Sequence, residues 1–228
     1  MANPPLLPVA VPNLPLAGQQ FTPQYQDQLN NVLRLYFNRM SGTLNAVTGT
    51  LGGQYLQFPH VAASDNAIQY ATANNTPTIV HWSTLDAGNG FTLNANNTAT
   101  ALVSGVYKIT YSLQLANNAN AIHDAIVWLR VNGLTSAADV ANSTTIFTLQ
   151  ARKSAGVPNF VCGYSEVVFT MNAGDYVGLW WGTDQAATSG GTTGVYIDYR
   201  AAQTSPMAYP AVPSAIGSIT FVSALPPA

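Results

Sequence analysis

At 228 residues, with 7% charged side chains and a formal net charge of -2, the chain is long enough to bury a core without covalent staples, and its basic residues form no footprint for nucleic acid or an anionic membrane. An ordinary soluble domain carries about 25% charged residues. Hydroxyls and amides must keep this one in water, and such neutral surfaces pack against copies of themselves at little desolvation cost, so extensive burial in an assembly is expected.

The lone cysteine, Cys162, excludes an internal disulfide framework and any multi-cysteine zinc site. Its apolar context, FVCGY, predicts a buried small side chain. No apolar run approaches the roughly 20 residues of a membrane-spanning helix, so no membrane insertion is expected. Residues 1–18 have no basic leader and are broken by prolines, so no signal peptide is expected and synthesis in a cytoplasm is.

Residues 1–21 alternate proline with Leu and Val, which prevents helix and favours an extended path. A free linker is hydrophilic, whereas this arm displays Leu6, Leu7, Val9, Val11, Leu14 and Leu16. Those side chains are the candidates for anchoring the arm to another surface.

A helix and linker segment, 22–52, follows. Thr22 suits an N-cap, Pro23 the first helical position, and Asp27 the positive end of the helix dipole. Leu29, Leu33, Phe37 and Met40 then recur in a heptad rhythm, with Tyr36 as an alternative to Phe37. Gly42 and Gly49 weaken the continuation, so the spacing predicts a helix over about 23–41. Two readings are open: a short trimer-forming stalk, or a helix packed on its own domain.

From 53 to 228 the pattern is one of short strands between turn-rich segments. The longest period-two run is GVYKITYSLQL, Gly105 to Leu115. It places Tyr107, Ile109, Tyr111, Leu113 and Leu115 on a core face, with Val106, Lys108, Thr110, Ser112 and Gln114 opposite. That second face holds one charge in five residues, and Val106, Lys108, Thr110 and Ser112 are candidates for an interface with another chain. About ten strands are predicted, including 55–61, 78–83, 125–131, 160–171, 176–181, 195–200 and 216–222, which indicates a sandwich or jelly roll. Asn132-Gly133 reads as a tight turn, as does Gly174-Asp175, where glycine supplies an unusual backbone angle.

Catalytic chemistry needs converging titratable groups, and none converge in sequence. His60 and His81 are isolated, and His123-Asp124 would point to opposite faces of a strand. No hydrolase, zincin, phosphate-loop or dinucleotide motif is present, so neither an enzyme nor a cofactor is expected. Asp175, Asp184 and Asp198 leave calcium conceivable but lack a diagnostic spacing. Trp180, Trp181 and Tyr196 offer a possible stacking platform for a ligand such as a glycan, weighed against core and interface packing.

Three segments in order, GVYKITY (105–111), MNAGDYVGL (171–179) and SITFV (218–222), resemble the C1q/TNF-like family. The resemblance covers about residues 55–224 and implies a C1q/TNF-like antiparallel jelly-roll sandwich assembled as a compact homotrimer through one sheet; with the segments read above, the expected fold is mainly β, that sandwich with an N-terminal extended arm and one helix. The chain departs from that family in having neither a collagen-like stalk nor the Phe-x-Gly ending of the last strand. Residues 16–30, from LAGQQF to YQDQLN, resemble the N-termini of virion structural proteins of tailed phages, particularly cyanophages. Taken with the trimer that the first resemblance implies, this second one leads to the expectation of a trimeric capsid decoration or fibre-like protein, made in the host cytoplasm and carried on the virion, with phage capsid or tail proteins as partners. A receptor-binding adhesin whose head loops meet a host surface glycan or protein is the alternative.

Overall fold

The computed structural model describes residues 12–16, 22–48, 58–188 and 193–225. The chain divides into two units, Met1–Gln57 and Phe58–Ala228. In the first, the helix α1 spans Pro23–Thr48. The Thr22 hydroxyl accepts a hydrogen bond from the Tyr25 amide at 3.3 Å, the expected cap. The helix runs seven residues beyond the expected end, passing through Gly42. One glycine costs a helix interior only about 1 kcal/mol relative to alanine, and the leucine, alanine and threonine beyond it carry the ladder on.

Among the described residues the second unit has thirteen strands: β1 (His60–Asp65), β2 (Gln69–Tyr70), β3 (Thr78–Ile79), β4 (Thr84–Asn89), β5 (Phe91–Leu93), β6 (Ala99–Ala101), β7 (Gly105–Asn117), β8 (His123–Val131), β9 (Thr145–Leu149), β10 (Asn159–Met171), β11 (Tyr176–Thr183), β12 (Val195–Ile197) and β13 (Ala215–Ser223). Every pairing between them is antiparallel. Of the predicted strand at 78–83 only Thr78–Ile79 forms, as β3; β4 begins beyond it at Thr84, and neither β4 nor β2 has a sequence signal. The predicted 55–61 strand lies partly outside the described residues, and its described part begins β1.

β7 is the spine of the first sheet. β10 pairs with it along its whole length, from Asn159↔Asn117 to Met171↔Gly105. Its other edge is therefore shared by β13, from Ala215↔Leu113 onward, and β12, at Val195↔Asn117 to Ile197↔Leu115. β1 and β4 extend the sheet past β13, and β2 extends it past β12. The second sheet runs β5-β6-β11-β8-β9, with β3 also on β11.

The alternation read from GVYKITYSLQL holds residue by residue. Tyr107, Ile109, Tyr111, Leu113 and Leu115 are all buried, and Val106, Lys108, Thr110, Ser112 and Gln114 are partly open. The inward set packs with Val127, Leu129, Leu179 and Trp181 of the second sheet in one apolar core. Tyr107 is wedged edge-on between Phe91 and Phe221 and donates its hydroxyl to the Val103 carbonyl at 2.6 Å, which satisfies the one polar atom it brings inside.

Turn chemistry fixes the ends. Gly174 adopts φ +92°, and the Asp175 carboxylate accepts from the Asn172 amide at 2.7 Å and from Asn132 Nδ2 at 2.6 Å. Asn132, itself at φ +58°, accepts from the Tyr176 amide. The two turns expected at Asn132-Gly133 and Gly174-Asp175 thus lock each other.

Candidate functional site

The outer face of the first sheet is assembled in rows by its register. One row holds Tyr164, Ser112, Ile216 and Ser64; the next Glu166, Thr110, Ser218 and Ala62; the third Val168, Lys108, Thr220 and His60. Tyr164 is 57% and Val168 60% exposed, and Ile216 and Val222 are about half exposed. Between them lie the short side chains of Thr110, Ser218 and Thr220 and the oppositely charged Lys108 and Glu166. The face thus leaves four large apolar side chains open to water, which makes it the candidate site.

Lys108 and Glu166 supply the charge on the β7, β10 and β13 part of this face, with Nζ and Oε2 3.4 Å apart. Both side chains are about half exposed, so in the single chain the pair contributes at most about 1 kcal/mol. At the margins, His60 Nδ1 lies 2.8 Å from the Phe58 carbonyl oxygen, and Ser64 donates to the Asp86 carboxylate.

Of the eight residues expected at an interface, Val106, Lys108, Thr110 and Ser112 share this face. Tyr164 and Val168 of β10 and Ile216 and Val222 of β13 join them and were missed, because both strands are apolar on both sides and their outward sets are identifiable only once their partners are known. Cys162 belongs to the same outward set. It is exposed, with Sγ 3.2 Å from Ser112 Oγ, contrary to the buried side chain expected from FVCGY. The inward position is taken by Gly163, where an added Cβ would meet Leu115 at 2.9 Å and Phe147 at 3.3 Å.

On α1, Leu29 and Leu33 are half-buried while Phe37 and Met40 are exposed. Of the arm's candidates, Leu14 borders a shallow groove with Gln28, Asn31 and Val32, and Leu16 is almost fully exposed. Leu6, Leu7, Val9 and Val11 lie outside the described residues.

The proposed stacking platform is not brought together. Trp181 is fully buried in the core. Trp180 lies across from Trp128 on the outside of the second sheet, where the Arg130 guanidinium stacks 4.3 Å from its ring centroid. Tyr196 is on the other sheet, beside Tyr70. The reason is strand period: adjacent tryptophans must face opposite ways, and the outward one is covered by a buried arginine. Arg130 is held there by Asp139, Nε to Oδ1 at 2.6 Å, and Trp128 Nε1 donates to the same oxygen at 2.8 Å.

His123 does not work with Asp124. Its Nδ1 sits 2.9 Å from Asp184 Oδ2, while Asp124 accepts from the Thr148 hydroxyl. Partial burial pushes the Asp184 carboxyl up, but hydrogen bonds from His123 and the Asp124 amide, with the His123 charge, outweigh it and hold the group below the ordinary carboxylate value. Asp198 goes the other way: burial raises its carboxyl, and the Arg200 hydrogen bond and charge only partly offset that. Asp175, Asp184 and Asp198 therefore have separate partners. Among the described residues no three His, Cys, Asp or Glu groups are placed to hold a metal ion, and no helix is long and apolar enough to cross a membrane.

No protein-family model and no curated protein matches the chain. Among solved structures, the globular domain of zebrafish complement 1qA is similar over 74% of this chain and 100% of its own, at 15% identity and a TM-score of 0.45. Murine APRIL, crystallised at pH 5.0, is similar over 72% of this chain and 100% of its own, at 14% identity and a TM-score of 0.41. The strand pairings and the shared apolar core of the chain itself define two packed antiparallel sheets, the mainly β sandwich expected from the sequence.

Proposed function

We propose that the chain is a non-enzymatic virion structural protein of a tailed phage, a homotrimeric capsid decoration or fibre-like protein held to the particle by its N-terminal region. The observation that carries the trimer is the outer face of the first sheet. It exposes Tyr164, Val168, Ile216 and Val222 amid hydroxyls, with one ion pair, and a rotational assembly of identical copies buries such a face on every copy at once. The virion role is supported by the proline-rich apolar arm, the low charge and the resemblance of residues 16–30 to phage structural proteins. Deleting residues 1–18 and assaying purified particles by mass spectrometry tests the anchor: the truncated chain should be missing from virions, and undiminished incorporation would contradict it.

A receptor-binding role for the head is the second reading. Ile122, Val157 and Met207 are exposed on connections near the C-terminal end of β7, where a host glycan or protein would be met. The purified protein should then bind host cells, whereas a decoration protein binds capsids and ignores cells.

A further inference from the structure

We propose that the apolar stripe of α1 is a parallel, in-register seam between copies of this chain, so that the helices associate as well as the heads. The inference takes only the number of copies from the homotrimer reading. Advancing about 100° per residue, Leu33, Met40 and Val47 repeat every seven residues at one heptad position, a, while Leu29, Tyr36 and Thr43 repeat at a second, d. The outermost position, f, is an amide throughout the helix: Gln24, Asn31, Asn38 and Asn45. Beside it, position b carries Asp27, Arg34 and Ser41, so no charge falls on the stripe.

The apolar positions alternate at spacings of four and three from Leu29 to Val47, the arrangement whose knobs fill the holes of a second helix. Among the described residues α1 is the one α-helix, and the partner is accordingly a second copy. Met40 and Phe37 remain 40% and 52% exposed within the chain, although they lie at the centre and edge of the stripe. In a parallel pair the g position of one helix faces the following e position of its neighbour. Val32 then meets Phe37 of the neighbouring copy, and the alkyl stem of Arg39 covers Leu44, which accounts for the apolar residues at the last two of the three e positions, Asn30, Phe37 and Leu44. Gly42 has open space around its Cα and falls away from the seam, so it does not interrupt it.

The test uses the full-length protein with Cys162→Ser as background. Met40→Cys places a thiol at the seam, where parallel, in-register helices bring it within disulfide distance of its counterpart. Asn38→Cys places one on the outermost position. Under mild oxidation Met40→Cys should become a disulfide-linked dimer on a denaturing gel while Asn38→Cys stays monomeric. Equal cross-linking of the two, or none at Met40, overturns the seam. Sedimentation of the same samples separates the two claims: a trimer without the Met40 cross-link refutes the helix seam and leaves the head trimer standing, whereas a monomer refutes both.

Discussion

Lys108 and Glu166 meet diagonally across the β7–β10 ladder, Nζ to Oε2 at 3.4 Å, on a face whose other outward residues from β7, β10 and β13 are uncharged. In the isolated chain the pair is a solvated surface contact. Covered by a neighbouring copy, it becomes a buried pair, and removing one partner strands the other charge away from water.

Glu166→Gln alone should therefore weaken self-association by roughly 2 kcal/mol per copy while leaving the stability of the single head within about 1 kcal/mol. Adding Lys108→Gln should recover most of the loss. A double-mutant cycle on the trimer dissociation constant measures it, and additive single effects would place the pair outside the seam.

Asp139→Ala addresses the opposite sheet. It leaves the buried Arg130 guanidinium without its carboxylate and Trp128 Nε1 without its acceptor. The expected loss is about 2–3 kcal/mol, below the usual range for a broken buried pair because Asp139 itself stays partly in water. Urea denaturation should show a lower midpoint at unchanged slope.

Gly194→Ala tests the backbone. Gly194 adopts φ +110°, and an added Cβ would lie 2.6 Å from the Ala187 nitrogen and 2.7 Å from the Ala186 carbonyl carbon, neither of which can step aside. A cost of about 2 kcal/mol or more follows. The matching change at Gly156, φ +74° with nothing within 4 Å, carries only the backbone strain and should cost less; equal melting temperatures for the two variants would contradict this packing.

Two carboxylates give opposite pH signatures. Asp184 is held below its ordinary value of 3.8, so its contribution is present above that pH and is lost as pH falls through the lower folded value. Asp198 is raised, so its contribution is complete below 3.8 and is lost as pH rises through its higher folded value. In thermal melts from pH 2 upward, Asp184→Asn should flatten the acid-side loss of stability and Asp198→Asn the decline on the other side of about pH 4. Identical profiles for the two variants would show that these environments are wrong.

The core was legible where one strand buries one face. Tyr107 to Leu115 alternates because its outward side avoids large apolar groups, so period alone assigns every residue. β10 defeats the same reasoning, since Phe160, Tyr164 and Val168 point out while Val161, Val167 and Phe169 point in; both sets are apolar, and only the pairing with β7 tells them apart. That ambiguity hid Cys162 on the surface and half of the candidate interface. Trp180-Trp181 misled for a related reason: two aromatics side by side suggest a platform, yet a strand must turn one of them inward. The short β2 depends on long-range contacts, with the Gln69 side chain accepting from the His81 amide at 2.8 Å and donating to Ser214 across the chain, and no local pattern announces it. Gly42 had the reverse effect, suggesting an early stop to a helix that its neighbours carry through.

Sedimentation equilibrium of the full-length protein beside its Thr110→Asp, Ser112→Asp variant tests the outer face of the first sheet most directly. At micromolar concentration the native protein should sediment at three times its chain mass. The variant, which sets six added carboxylates into one neutral seam, should sediment as a folded monomer with unchanged circular dichroism. A native monomer, or a variant that stays trimeric, would mean that this face is ordinary surface.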